Sequence, residues 1–232
     1  MTLDRSLISG LPAFAGLAGS DLDAVLARAR SSRFPKDAEV FSQGADADSF
    51  FLLLNGHIRV VRTSSEGHQV IARYINEGEL FGFAVAMGRT AYPASAVAAV
   101  DCVVLTWPNA AWPELQARAP AFGASAYQTM GARLQETQEQ VMEMSTQQVE
   151  QRIAHALLRI VSQSGKKTEQ GIEIDFPITR QDIAEMTGTT LHTVSRLLSA
   201  WEDEGIVKGS RQKVVVTDPH GLMLVAESRR RK

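Results

Sequence analysis

Apolar and polar positions along this chain fall into three successive regimes. Residues 1 to about 30 read as short helices: Leu22, Val25, Leu26 and Ala29 recur at helical spacing, with Asp21 beside them and Ser20 expected as the cap. From Arg33 to about Trp107 the period shortens. The runs EVFSQG, SFFLLLNGHIRVVRT, HQVIARYINEGELFG and ASAVAAVDCVVLTW are short apolar or alternating segments. Turn residues separate them at Gly44-Ala45-Asp46, Asn55-Gly56, Glu66-Gly67 and Glu77-Gly78. Short strands at such spacing predict a compact barrel or jelly roll. Helix returns after Trp107-Pro108-Asn109, punctuated by Pro113 and Pro120.

Beyond Pro120, Tyr127, Leu134 and Val141 recur every seven residues, and Met130, Thr137 and Met144 do the same. The two series interlock as in a coiled-coil seam. A helix lying on its own barrel is the alternative, and Gly131 weakens the seam. So long a polar-flanked helix nevertheless needs a partner for its apolar edge, so the pattern predicts a homodimer. Ser145-Thr146 is the expected break. A second helix, VEQRIAHALLRIVSQSG, turns Val149, Ile153, Ala156, Leu157 and Ile160 inward, and GIEIDFPIT reads as a small strand pair.

The segment Ile178 to Leu198, ITRQDIAEMTGTTLHTVSRLL, is the most informative. Ile183, Ala184 and Met186 give a short helix its apolar face, Gly188 permits a tight turn, and Thr190 is placed to cap a second helix. Val194, Leu197, Leu198 and Trp201 form one stripe of that helix; His192, Thr193, Ser195 and Arg196 form the opposite face. A helix presenting donors at its leading end after a glycine turn is how a helix-turn-helix reads base edges in a major groove. An ordinary helical hairpin is the alternative. Gly205 then stops the helix and IVKGSRQKVVVTD reads as a hairpin with Gly209-Ser210-Arg211 at its turn, a wing whose Lys208, Arg211 and Lys213 can meet phosphates. Helix-turn-helix, wing and dimerising helix together point to double-stranded DNA as partner.

Composition adds bounds rather than identity. The 232 residues suffice for two modest domains, and 44% hydrophobic with 22% charged residues describes a globular chain. From Gln147 onward there are 13 basic and 11 acidic residues, against 11 basic and 15 acidic before it. This weak polarity permits nucleic-acid binding without demonstrating it, since much of it is the Arg229-Arg230-Arg231-Lys232 tail. The longest apolar stretch, Ala94 to Leu105, is broken by Ser95 and Asp101, so no membrane span is expected. MTLDRSLISG carries no secretion-signal pattern, and the single Cys102 fits a reducing cytoplasm. No His-x-His pair, P-loop spacing around Gly165-Lys166-Lys167-Thr168 or Gly-x-Ser-x-Gly elbow occurs, and no metal site is expected. The chain is therefore read as not an enzyme, with a dimeric interaction protein as the remaining rival.

Barrel, long helix and winged helix in this order resemble the cyclic-AMP receptor protein/FNR (Crp/Fnr) superfamily of bacterial transcription regulators, from about Leu11 to Val225. The most specific pieces are FSQGADADSFFLLLNGHIRV, ITRQDIAEMTGTTLHTVSRLL and WEDEGIV. The resemblance implies an α+β fold: an effector-sensing, cyclic-nucleotide-binding-like jelly roll over 1–120, a dimerisation helix over 121–146 and a winged helix-turn-helix over 147–232. It implies a homodimer on a palindromic operator with RNA polymerase as partner, activation being the family habit and repression equally compatible. It places Thr179, Arg180 and Gln181 against phosphates. The Glu, Ser and Arg that read bases in the FNR branch correspond here to His192, Ser195 and Arg196, and the departure at His192 implies a different preference at that position.

The effector is less legible. Family members that bind cyclic AMP carry a Gly-Glu and an Arg-Ser pair where this chain resembles them with Gly82-Phe83 and Tyr92-Pro93. A buried phosphate without a cation is heavily penalised, so cyclic AMP is not expected; a cyclic-nucleotide-responsive or effector-independent regulator is the alternative. An iron–sulfur cluster needs about four thiolates and is not expected either. GELFGF and TAYPASAVA look like the nitric-oxide-responsive denitrification regulators, whose members are proposed to sense through haem. On that resemblance Phe81, Phe83, Met87 and Tyr92 line an apolar slot between barrel and dimer helix. His57 or His68 would be the axial ligand, although each follows a hairpin turn and reads as an exposed residue.

Overall fold

Strand β3 (Ser49–Asn55) is apolar on both faces, and its two faces serve different cores. In the computed structural model, which describes residues 8–228, Phe50 and Leu52 join one cluster and Phe51 and Leu53 the other. The start of MTLDRSLISG and the Arg229–Lys232 tail lie outside the described residues. A strand buried on both sides must be the middle of three layers. β3 pairs antiparallel with β8 (Cys102–Pro108) and β6 (Leu80–Phe81), and β8 pairs with β1 (Arg30–Phe34). The second sheet holds β2 (Glu39–Phe41), β7 (Ser95–Ala98), β4 (Ile58–Thr63) and β5 (Gln69–Ile75), in the order β2-β7-β4-β5. Phe51, Leu53, Ile58, Ile75, Ala96 and Val104 fill the space between the sheets. The strands thus form a two-sheet roll of jelly-roll kind, with four strands in each sheet.

The outer face of the first sheet is covered by α1 (Gly19–Ala27), α2 (Trp112–Arg118) and the start of α3 (Pro120–Thr146), through Leu22, Val25, Leu115 and Phe122. Trp107 is fully buried, stacks on Phe50 with centroids 5.4 Å apart, and donates its indole N–H to the Val25 carbonyl at 2.8 Å. Here α1 starts earlier than read: Ala18 is its N-cap and Ser20 lies inside the first turn. Glu79 accepts from Arg73 at 2.8 Å and pairs with Arg133 of α3 at 2.7 Å, so an ion-pair cluster joins helix and sheet.

The chain divides into two compact units, Met1–Glu66 with Arg73–Glu136, and Gly67–Ala72 with Thr137–Lys232. In the second, Ser145 and Thr146 do not break α3. Both residues stay helical, with their hydroxyls turned back to donate to the Val141 and Met142 carbonyls at 2.8 and 2.7 Å. The break falls at Gln147-Gln148, where Gln148 and Gln151 form a capping box for α4 (Val149–Ser164). The strand pair also differs from the reading. β9 (Gly165–Thr168) pairs with β10 (Gly171–Ile174), while residues 175–178 leave the sheet. Gly165-Lys166-Lys167-Thr168 has no apolar pattern to announce a strand, because β9 is exposed throughout and held by backbone pairing. With β11 (Val207–Ser210) and β12 (Lys213–Val216) these strands form one antiparallel sheet in the order β11-β12-β10-β9. A last helix, α7 (Pro219–Ala226), packs on α4. No helix among the described residues is long and apolar enough to cross a membrane.

Candidate nucleic-acid interface

Two capped helices and a hairpin build this site. Helix α5 (Arg180–Thr187) opens on a reciprocal cap: the Thr179 hydroxyl accepts from the Asp182 N–H at 3.0 Å, and the Thr179 N–H donates to the Asp182 carboxylate at 2.7 Å. Gly188, with φ 60°, ends the helix in the left-handed region. Helix α6 (Leu191–Asp203) opens on Thr190, whose hydroxyl accepts from the Thr193 N–H at 3.2 Å. Its predicted stripe is buried, with Val194 and Trp201 completely so. The Trp201 indole donates to Glu150 of α4 at 3.2 Å, which fixes the roll of α6 about its axis. On the other side His192 and Arg196 are exposed and Thr193 and Ser195 half-buried. In α5, Thr187 rather than Met186 completes the buried face, its hydroxyl donating to the Ile183 carbonyl at 2.7 Å.

The remaining predicted contacts divide. Thr179, Arg180 and Gln181 from the start of α5, Leu191 from α6 and Arg211 from the wing line one cleft of about 660 Å³. Thr179 has its hydroxyl committed to the cap. Gln181 donates to Glu185 at 2.9 Å, and Arg180 pairs with Glu202 at 3.3 Å. Lys213 pairs with Glu173 of β10 at 2.7 Å and Lys208 donates to Gln170 in the β9–β10 turn at 3.3 Å, so both lysines are engaged within their own sheet. The wing turn is Arg211-Gln212; Gly209 and Ser210 lie in β11. Leu191 was missed by pattern. It stands three residues before Val194 and seven before Leu198, in phase with the buried stripe, yet it is 47% exposed.

The four residues expected to line one effector slot are not brought together. Leu80 and Phe81 alternate across β6 as strand residues should, but Gly82 has φ +81° and turns the chain, so Phe83 rejoins the side of Leu80. Phe81 and Tyr92 sit between the sheets, where Tyr92 stacks on Phe41 with centroids 3.9 Å apart. Phe83 stacks on Phe50 at 5.3 Å in the other core, and Met87 is 57% exposed. His57 corrects its reading as an exposed hairpin residue. It is 9% exposed and its Nδ1 lies 3.1 Å from Asn76 Oδ1, whereas His68 is exposed. These positions do not fit a haem held in the expected slot. Cys102 is buried with its thiol donating to the His57 and Val100 carbonyls, and burial pushes its pKa up. The Tyr92 hydroxyl donates to the Ser49 carbonyl at 2.7 Å and accepts from the Ser49 N–H at 3.2 Å; burial raises its pKa to about 12.

A cyclic nucleotide-binding domain matches residues 31–119, and a Crp-like helix-turn-helix domain matches residues 151–225. The chain belongs to the Crp/Fnr family of transcription regulators. Among its relatives, this Crp/Fnr regulator is 29% identical to the cyclic AMP receptor protein of Thermus thermophilus over 201 residues, which is 87% of this chain and 90% of the relative. It is 26% identical to the nitrogen fixation regulation protein FixK of Azorhizobium caulinodans, across 82% of this chain and 76% of FixK. In fold it is similar to FixK2 of Bradyrhizobium japonicum, with a TM-score of 0.75 at 20% identity, covering 85% of this chain and 96% of FixK2. The α+β organisation of a β-rich cyclic nucleotide-binding domain, a long helix and a carboxy-terminal helix-turn-helix is the family's own.

Proposed function

We propose that this Crp/Fnr regulator acts as a homodimer that reads a palindromic operator with the leading end of α6. One observation carries the reading: a capped helix with its apolar stripe fully engaged leaves His192 and Arg196 exposed on the opposite face. Arg196 supplies the planar fork that pairs bidentately with guanine, a contact worth about 1–3 kcal/mol of discrimination. His192, Ser195 and Leu191 read the neighbouring positions, and Arg180 and Arg211 take phosphates. The dimer rests on Tyr127, Leu134 and Val141, which are 50, 62 and 60% exposed at seven-residue intervals along α3. Regulation is a shift in population between dimers whose recognition helices do and do not match half-sites about 34–36 Å apart, and RNA polymerase is the partner of the DNA-bound form. Cyclic AMP is not the proposed effector, because Tyr92-Pro93 stands where family members that bind cyclic AMP carry an Arg-Ser pair, and Tyr92 lies in the apolar cluster between the sheets.

The test is a gel shift on the duplex recovered by selecting the intact protein against random sequences. Arg196→Ala should lose retention of that duplex while remaining folded. Retention equal to wild type would sink the base-contact assignment.

A further inference from the structure

A carboxylate on a DNA-facing surface opposes phosphate attraction, so Glu202 needs a physical reason to be there. It lies in the last turn of α6, and its Oε1 is 3.3 Å from Nη2 of Arg180, at the start of α5. The two side chains are 30% and 33% exposed, so the pair is neither sealed in the core nor loose in solvent. Its other neighbour is the wing. A Cβ built on Gly209 of β11 would stand 2.8 Å from the same Glu202 oxygen, nearer than two such atoms approach. One carboxylate therefore touches the first helix, the recognition helix and the wing, the three elements that bring Arg180 and Arg211 to one cleft.

We propose that Glu202 is a positioning residue that holds the Arg180 guanidinium at the mouth of this cleft for a backbone phosphate, and that Gly209 is bare to admit the carboxylate. The proposal rests on the DNA-binding reading above. A guanidinium has five N–H donors in a rigid fork, so the one given to Glu202 leaves others for a phosphate. A long arginine side chain fixed before DNA arrives loses less rotamer freedom on binding. The orientation gained then outweighs the repulsion of one paired carboxylate. Gly209 has no left-handed backbone requirement, so an alanine there is tolerated by β11 and displaces only the flexible carboxylate end.

The experiment measures affinity of the full chain for the selected duplex by fluorescence anisotropy over a range of salt, with thermal unfolding of every variant. Glu202→Ala, which removes the charge, and Gly209→Ala, which keeps it but moves it, should both weaken binding. Each should lower the magnitude of the log–log salt slope by about 0.9 per chain, the mark of one lost phosphate contact. Glu202→Gln, which retains an acceptor oxygen, should recover the slope, and Glu202→Ala should add nothing to Arg180→Ala. Unchanged or tighter binding by Glu202→Ala overturns the proposal in favour of simple repulsion. Full affinity in Gly209→Ala, or a lowered unfolding temperature with an unchanged slope, overturns it in favour of a purely structural pair. Failure of the DNA reading itself appears separately, in Arg196→Ala.

Discussion

Met144 lies directly against Gly188: a Cβ on that glycine would stand 3.1 Å from the Met144 Cε and 3.3 Å from its Sδ. Met144 belongs to the last turns of α3, and Gly188 is the left-handed joint between α5 and α6. The second seven-residue series of α3 is thus partly used within the chain. Met144 meets the helix-turn-helix, and Met130 packs on the core beneath α3. Tyr127, Leu134 and Val141 are the more exposed series.

Gly188→Ala meets two obstacles at once, a φ of 60° and the methionine. The left-handed conformation alone costs about 1–2 kcal/mol for a residue with a Cβ. The variant should unfold at lower temperature in a calorimetric scan, and adding Met144→Ala should recover only the contact part. An unfolding temperature equal to wild type would refute the left-handed joint.

Leu134 is 62% exposed, so Leu134→Glu removes little buried surface within one chain. The proposed seam would instead place two carboxylates in an apolar contact. Sedimentation should show a folded monomer with unchanged helix content that no longer retains the palindrome. A variant that sediments as a dimer would count against the seam.

Tyr92→Phe leaves the Ser49 N–H and carbonyl without their hydroxyl partner and should cost about 1–3 kcal/mol at neutral pH. The pH dependence has a definite sign. The folded pKa of about 12 lies above the unfolded value near 10, so the folded chain keeps a proton that the unfolded chain releases. This contribution is complete below pH about 10 and is lost as pH rises through about 12. Urea titrations should show Tyr92→Phe losing less stability than wild type across that window; equal slopes would contradict it.

Leu191 presents an apolar edge beside His192 and Arg196, suited to a thymine methyl. Replacing the contacted thymine by uracil should cost wild type about 0.8 kcal/mol, the value of one methyl-sized contact. Leu191→Ala should be indifferent to the same replacement. A scan of the selected operator in which no thymine shows this coupling would remove the assignment.

What the chain announces locally, it announces well. Thr179 with Asp182, Gly188 and Thr190 set caps and a turn whose hydrogen bonds close within a few residues, and the Val194–Trp201 stripe is decided by helical period alone. The helix-turn-helix, its wing and the alternating strands were legible for that reason. The effector slot was not: Phe81 and Phe83 are two residues apart and in phase as a strand, yet one left-handed glycine sends them to different cores. Nor could pattern foresee that Lys213 would meet Glu173 on the neighbouring strand, that Glu202 would meet Arg180, or that Leu191 would line a cleft while in phase with a buried stripe. Periodicity and capping are properties of a short stretch of backbone. Which side chains of distant segments touch is decided only when sheets and helices close on one another.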